Sequence, residues 1–325
     1  MANPADDARL MGAALALSDR GVGNTGLNPP VGCIIIAGGR VVGRGHTRPG
    51  GRPHAEAVAL AQAGDAARGA TVYATLEPCA HASPRGGACA DALVAAGIAR
   101  VVIAAGDPDP RTDGAGAARL RAAGIAVTEG VRTAEAEAVM AGFFSRLRRN
   151  RPHITLKLAV TLDGSVALAS GVSKWITGER ARAHGHLERA RHDMIVVGRG
   201  TQDADSPTLN VRLSGLEGRA PIVAVMSATD GVSGGARWIA SPSALAAVAD
   251  ANLVLAEGGA GLATSLIAAD LVDRLLLYRA PILIGGRPAL SAIGLPDLAP
   301  AHCRWRAGPI IDLAPDRLET YTRIR

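Results

Sequence analysis

Aromatic residues make up only 2% of this 325-residue chain, and lysine is almost missing: apart from Lys157 and Lys174, every basic residue is arginine. So few aromatics leave little from which to build the base-stacking platform of a single-strand binder. The 35 basic residues are interspersed with 29 acidic ones, so the net charge of +6 does not form a nucleic-acid footprint. Only 146–151, Arg-Leu-Arg-Arg-Asn-Arg, is a basic cluster. Four cysteines are too few for a disulfide framework in a chain this long, which leaves metal binding or chemistry as their use. Long apolar runs are missing as well. Arg, Asp or Gly interrupts each one before the roughly 18 residues that a membrane span needs. Asp6, Asp7 and Arg9 precede the short apolar run 11–17, which is unlike a secretory signal. A cytoplasmic protein with neither a membrane nor a nucleic-acid partner is therefore expected.

What is present suits a packed chain: 48% hydrophobic and 20% charged residues. The length is about twice that of a usual domain and predicts two. Strand and helix patterns alternate throughout. In the first half, helix 8–20 leads to strands 31–36 and 41–45 around a Gly38-Gly39 turn, then helix 54–63, strand 71–75, helix 90–96, strand 101–104, helix 116–123 and strand 126–128. One helix over 134–149 would place Met140, Phe143, Phe144 and Leu147 on one side and close the domain. In the second half, strands at 154–160, 194–197, 221–226, 253–256 and 274–279 alternate with helices 179–191 and 261–269. The order predicts α/β sheets with helices on both faces, in domains 1–148 and 149–325.

The sharpest chemical signal is His54, Glu56, Cys79 and Cys89. Pro53-His54-Ala55-Glu56 opens a predicted helix, Glu77-Pro78-Cys79 follows a predicted strand, and Cys89 opens the next helix. One imidazole and two thiolates give zinc three ligands and an open position for water, as in catalytic rather than structural sites. Zinc lowers the pKa of such a water from about 15.7 to about 7, and Glu56 is placed to manage its proton. Residues two apart on a regular helix do not face each other, so His54 and Glu56 need irregular backbone between them. The pattern matches the zinc-deaminase signature with its closing Cys-x-x-Cys stretched. A structural three-ligand site is the bland alternative, with His81 as a possible fourth ligand or a substrate residue, and Cys33 and Cys303 read as small buried hydrophobes.

Asn28-Pro29-Pro30-Val31-Gly32-Cys33, Pro53-His54-Ala55-Glu56 and Thr75-Leu76-Glu77-Pro78-Cys79-Ala80-His81, with the delayed Cys89, resemble the deaminase half of the bifunctional riboflavin-biosynthesis deaminase/reductase family. The second half carries the resemblance through Lys157–Gly164, Gly171–Gly178, Val197–Thr201 with Asp205 to Arg212, and Glu257–Ala260. The resemblance implies a three-layer cytidine-deaminase-like domain followed by a dihydrofolate-reductase-like domain. It implies zinc on His54, Cys79 and Cys89, Glu56 as proton shuttle and Asn28 against the pyrimidine. It further implies NADPH against Ala159, Trp175, Thr201, Asp205, Gly259, Ala260, Gly261, Leu262, Ala263, Thr264 and Ser265, and substrate against Ser173, Arg189, Leu209, Arg212 and Glu257. The substrates implied are small phosphoribosylaminopyrimidines, and a homo-oligomer is expected.

The chain departs from the family at three places. The loop before Cys89 is one residue longer, Asp205-Ser206-Pro207 retains one acid of the usual Asp-Asp-Pro, and Ser227-Ala228 replaces Asp-Ser. On the residues alone, Gly258-Gly259-Ala260-Gly261 between a strand and a helix could cradle a pyrophosphate and Arg189 and Arg212 could grip a phosphate. Yet Gly-Gly turns are common, Trp175 could be core, Asp163-Gly164 is an ordinary hairpin signal, and the glycine spacing is not the Rossmann one. Three other functions remain open: a deaminase with a degenerate reductase domain, a nucleobase or tRNA deaminase with a binding domain, and a non-catalytic RNA-binding protein with structural zinc.

Overall fold

The structure is a computed structural model that describes residues 4–205, 207–229 and 235–325. The chain divides into two units between Asn150 and Arg151. The first runs α1 (Pro4–Asp19), β1 (Gly32–Ala37), β2 (Arg40–His46), α2 (Ala55–Ala63), β3 (Thr71–Leu76), α3 (Cys89–Ala95), β4 (Arg100–Ala105), α4 (Ala115–Ala122), β5 (Ala126–Thr128), α5 (Thr133–Val139) and α6 (Ala141–Arg149). Its sheet has the order β2-β1-β3-β4-β5, with β1 antiparallel to β2 and β3 and the other pairs parallel.

Glycines decide how closely helices approach this sheet. A Cβ on Gly32 would lie 1.9 Å from the Ala14 carbonyl of α1. On Gly45 and Gly43, which pair with Cys33 and Ile35, it would lie 2.4 Å from the Ala55 carbonyl and 2.2 Å from the Ala59 carbonyl of α2. Successive strand residues face opposite sides, so α1 and α2 cover opposite faces, the expected three-layer arrangement. Between them lies an aliphatic core that includes Ile35, Val72, Leu93, Ile103 and Leu120. Phe143 and Phe144 join it edge to face, 5.9 Å apart. The helix expected over 134–149 breaks at Met140 (φ −99°, ψ 22°). The break lets α5 pack along β4 while α6 turns both phenylalanines inward, and Met140 stays buried.

The second unit contains β6 (His153–Val160), β7 (Ser165–Ala167), α7 (Glu179–Ala190), β8 (Met194–Gly198), α8 (Arg199–Asp205), β9 (Ile222–Met226), β10 (Arg237–Ile239), α9 (Pro242–Ala246), β11 (Leu253–Glu257), α10 (Ala260–Ala268), β12 (Val272–Arg279), β13 (Arg287–Pro288), β14 (Trp305–Ala307), β15 (Ile311–Leu313) and β16 (Asp316–Arg323). Its main sheet has the order β10-β9-β8-β11-β6-β12-β16-β14, and β15 also pairs with β16. Strands β10 to β12 run parallel, while β16 is antiparallel to its three partners. The central strands carry near-continuous buried apolar runs, Met194–Val197 and Val254–Ala256 among them, as parallel strands covered on both faces require. This is the α/β class expected, completed by C-terminal strands that the sequence pattern does not announce.

Asp163 is more than part of a hairpin signal. Its carboxylate accepts from the Thr161 and Ser165 hydroxyls and from the Ile284 and Gly285 amides, clipping the β6–β7 turn to the loop before β13. These donors hold its pKa well below the usual carboxylate range.

Candidate functional site

In the first unit, the glycine seam on β2 fixes α2, and α2 carries the site. His54 is its N-cap residue, extended at ψ 161°, whereas Glu56 lies in the first helical turn. That change of backbone between them is the irregularity that the His-x-Glu spacing required. Across from them, β3 delivers Cys79 and α3 begins at Cys89. The ligand atoms of His54, Cys79 and Cys89 lie within 4.8 Å of one another, the one such metal-ligand cluster among the described residues. His54 Nδ1 is 3.3 Å from Cys89 Sγ and 3.6 Å from Cys79 Sγ, and the Cys89 amide donates to Cys79 Sγ at 3.3 Å.

The two sulfurs are electrostatically unequal. A hydrogen bond from the Cys89 side chain, assisted by His54, outweighs burial and pulls Cys79 down to about 4, while the same bond and burial push Cys89 up. One borderline nitrogen and two sulfurs, one already inclined to thiolate, are a donor set that suits zinc. Glu56 is only 3% exposed, and burial raises its pKa above the ordinary carboxyl value. Its side chain faces Cys89.

The longer loop before Cys89 does not displace it. Ser83 and Gly86 exchange backbone hydrogen bonds in a tight turn that absorbs the length, and Arg85 Nη1 donates to the Gly50 carbonyl at 3.1 Å. Asn28 packs against Gly51, where a Cβ would fall 2.0 Å from its Nδ2, so this glycine (φ +89°) makes room for the amide just ahead of His54. His81 is directed to the Thr112 hydroxyl at 3.4 Å and lies outside the ligand cluster.

Two buried carboxyls near the site are not singled out by sequence reasoning. Glu77 accepts from the amides of Asp107, Gly114 and Ala117, so it caps α4 and organises the loop after β4. Asp107 is pushed up to about 7 by burial, helped by the nearby Asp109, Glu77 and Cys79. Its one sequence signal is Asp107-Pro108-Asp109-Pro110 at the end of a strand. Of the cysteines outside the cluster, Cys33 is fully buried as expected, but Cys303 is exposed with φ +59°, so it is not a buried hydrophobe. Nor is 146–151 one basic surface: Arg146 donates to the Leu27 carbonyl, Arg148 pairs with Glu137, and Arg151 with Asp273.

In the second unit a cavity of about 1270 Å³ opens across the strand ends. It is lined by Ala159, Trp175, Thr201, Gly259, Ala260, Gly261, Leu262 and Ser265, and by all five expected substrate residues, Ser173, Arg189, Leu209, Arg212 and Glu257. Ala263 and Thr264 do not line it: Ala263 is packed in the core, and Thr264 accepts from the Ser291 amide. Asp205 ends α8, but its side chain and Ser206 lie outside the described residues. Trp175 is not core. It is 67% exposed, with the Arg182 guanidinium 5.0 Å from its ring centroid.

Glu257 and Arg189 form a two-bond ion pair of 2.8 and 2.9 Å, with Lys157 3.9 Å from the same carboxylate. Burial opposes the charge on Glu257, but Lys157 and Arg189 outweigh it and lower the pKa. His186 and Arg189, three apart on α7, both line the cavity, and Arg212 Nε donates to His186 Nε2 at 3.3 Å. The i, i+3 spacing of His186 and Arg189 is the sequence signal that could have found His186. Helix α10 has no side-chain cap, and the positions a Cβ would take on Gly259 and Gly261 are open space. Bare first-turn amides beside an open cavity fit a pyrophosphate.

Comparison with known proteins agrees with this division. Residues 4–105 match the cytidine and deoxycytidylate deaminase zinc-binding region, and residues 152–306 match the RibD C-terminal domain. The Escherichia coli riboflavin biosynthesis protein RibD is 38% identical, with 95% of this chain and 97% of that protein aligned. The Mycobacterium tuberculosis RibD is 39% identical, with 95% of each aligned. Among solved structures, Acinetobacter baumannii RibD superposes with a TM-score of 0.87 at 31% identity, covering 99% of this chain and all of that one. A Thermotoga maritima diaminohydroxyphosphoribosylaminopyrimidine deaminase/5-amino-6-(5-phosphoribosylamino)uracil reductase gives 0.87 at 28% identity, covering 98% and 99%.

Proposed function

The chain belongs to the RibD family of bifunctional riboflavin-biosynthesis deaminase/reductases, and on that premise we propose which residues carry each half of its chemistry. The first unit deaminates a diaminopyrimidine carrying a ribosylamino 5′-phosphate, and the second reduces the ribosyl group to ribityl. The observation that carries this reading is the convergence of His54, Cys79 and Cys89 beside the buried Glu56.

His54, Cys79 and Cys89 would hold zinc, which would supply a Lewis acid able to make water nucleophilic near neutral pH. Glu56, kept from bulk water, would take one proton from the attacking water and give it to the ring nitrogen, then take the remaining hydroxyl proton of the substrate adduct and give it to the departing amine. Asn28 holds the pyrimidine. In the second unit Ala159, Trp175, Thr201, Asp205, residues 259–262 and Ser265 would hold NADPH, with the amides after Gly258 toward its pyrophosphate, and NADPH would supply the hydride. Ala263 and Thr264 act there through the packing of α10. Ser173, Leu209, Arg212 and the Arg189–Glu257 pair orient the phosphorylated sugar. The large cavity and its exposed Trp175 favour a working reductase over a degenerate one.

The proposal includes a cytoplasmic homo-oligomer acting on free small molecules. No helix among the described residues is long and apolar enough to cross a membrane, and exposed Leu283, Leu298 and Ile310 offer apolar surface for self-association. The test is an anaerobic assay of purified protein with the diaminopyrimidine substrate, following ammonia release and NADPH consumption separately. Both are expected, in that order. Ammonia release without any NADPH consumption would return the second unit to a binding role.

A further inference from the structure

One turn of α7 carries two side chains onto the segment that follows α8. His186 and Arg189 are three residues apart and so share a helix face. Both reach the Asn210 carbonyl, His186 through Nδ1 at 3.1 Å and Arg189 through Nη1 at 3.1 Å. The other ring nitrogen of His186, Nε2, meets Arg212 Nε at 3.3 Å. His186, Arg189 and Arg212 all line the cavity.

These neighbours decide the state of the ring. A guanidinium nitrogen only donates, so Nε2 must accept; a carbonyl only accepts, so Nδ1 must carry the hydrogen. The neutral Nδ1–H tautomer makes both bonds. The Nε2–H tautomer makes neither and gains only the Arg212 amide, 3.4 Å from Nδ1. Imidazolium would set its Nε2–H against the Nε–H of Arg212. Burial, joined by Arg189 and Arg212, holds the His186 pKa below its ordinary value against the pull of the Asn210 carbonyl and Glu257, so the ring is neutral near pH 7. The two arginines differ in what they have left to offer. Arg189 is committed to Glu257, whereas Arg212 pairs with no carboxylate among the described residues.

We propose that His186 is a positioning residue for the second unit: its ring, anchored by Nδ1–H on the Asn210 carbonyl, holds Arg212 by Nε and aims that exposed guanidinium at the phosphate of the sugar substrate. The inference rests on the reading of this unit as a reductase of a phosphorylated sugar. Holding Nε leaves the two terminal nitrogens of Arg212 as a pair that matches two phosphate oxygens. Arginine is among the side chains richest in rotamers. Ordering one only when ligand arrives costs an amount that translates to roughly 2- to 12-fold in affinity, and His186 does that ordering in advance. The Asn210 carbonyl keeps its bond from Arg189 when His186 is removed, so the effect passes through the Arg212 side chain.

NADPH oxidation by the full chain, measured with the deaminated substrate and with the same compound lacking its phosphate, tests this. His186→Ala is expected to raise KM for the phosphorylated substrate roughly 3- to 10-fold and to change kcat less than about twofold. On the unphosphorylated compound it is expected to change kcat/KM less than about twofold. His186→Leu, which fills the space without a hydrogen bond, is expected to behave the same and serves if the alanine variant does not fold. His186→Gln, whose amide can accept from Arg212 and donate to Asn210, is expected to return KM to within about twofold of wild type. Added to Arg212→Ala, His186→Ala is expected to raise KM less than about twofold further, because the residue it acts through is already gone. An effect of equal size with and without Arg212, an equal effect on both substrates, or a glutamine variant no better than alanine overturns the proposal and leaves the reductase reading intact. A wild-type protein that oxidises no NADPH with the phosphorylated substrate overturns both.

Discussion

His54 and Cys89, 35 residues apart in the chain, bring Nδ1 and Sγ to 3.3 Å. A helix N-cap and a helix start meet there only because the loop after β3 folds back on itself. Cys89→Ser is expected to lower bound zinc from about one per chain to a small fraction and to abolish ammonia release. NADPH-dependent reduction of an already deaminated substrate is expected to persist. Elemental analysis alongside the two assays reads all three quantities.

Glu56→Gln separates proton transfer from metal holding. Zinc content is expected to be unchanged and deamination to fall by about 10²- to 10⁴-fold, the range for a positioned acid/base. A variant deaminating at the parent rate removes Glu56 from the mechanism.

Gly45→Ala tests the seam beneath α2. The added Cβ would sit 2.4 Å from the Ala55 carbonyl, against helix backbone that cannot turn aside. A loss of roughly 1–3 kcal/mol is expected, and zinc affinity should fall with it because α2 carries His54 and Glu56. Chemical denaturation at saturating and limiting zinc measures both.

Much of this site was legible in the sequence, because metal chemistry restricts residue type and spacing. His54, Glu56, Cys79 and Cys89 at those intervals suit little besides a metal centre, and the strong apolar runs marked most central strands. The seam was not legible, since Gly43 and Gly45 on an otherwise ordinary strand acquire meaning only when Ala55 and Ala59 lie over them. Strands β14 to β16 escape a reading by pattern because their exposure is uneven and alternates only in part. Trp175 was ambiguous for the opposite reason: a large aromatic is usually core, and only the open cavity explains one left 67% exposed.

Glu257→Gln leaves Arg189 without its charged partner at a largely buried position. Reduction is expected to fall at least about 100-fold with deamination unchanged, and the second unit should lose roughly 3–5 kcal/mol. All three tryptophans, Trp175, Trp238 and Trp305, belong to this unit, so their fluorescence follows its unfolding alone.

The same fluorescence tests an acid sensitivity. His153 is half-buried, but its Nδ1 is enclosed with no hydrogen-bond partner among the described residues, and burial lowers its pKa from 6.5 to about 4. Between those values the unfolded chain binds more protons than the folded one, so stability rises with pH across the window and is lost as pH falls from about 6.5 toward 4. His192, also buried and lowered, acts in the same direction. His153→Leu is expected to flatten the urea midpoint against pH in this range, and an unchanged slope would exclude His153 as its source.

Zinc titration of the metal-stripped protein, with ammonia release and NADPH oxidation followed on their separate substrates, tests the central assignment most directly. Ammonia release is expected to rise from near zero and saturate at one zinc per chain, while NADPH oxidation on the deaminated substrate stays level throughout. Ammonia release that proceeds undiminished in the stripped protein would contradict the account.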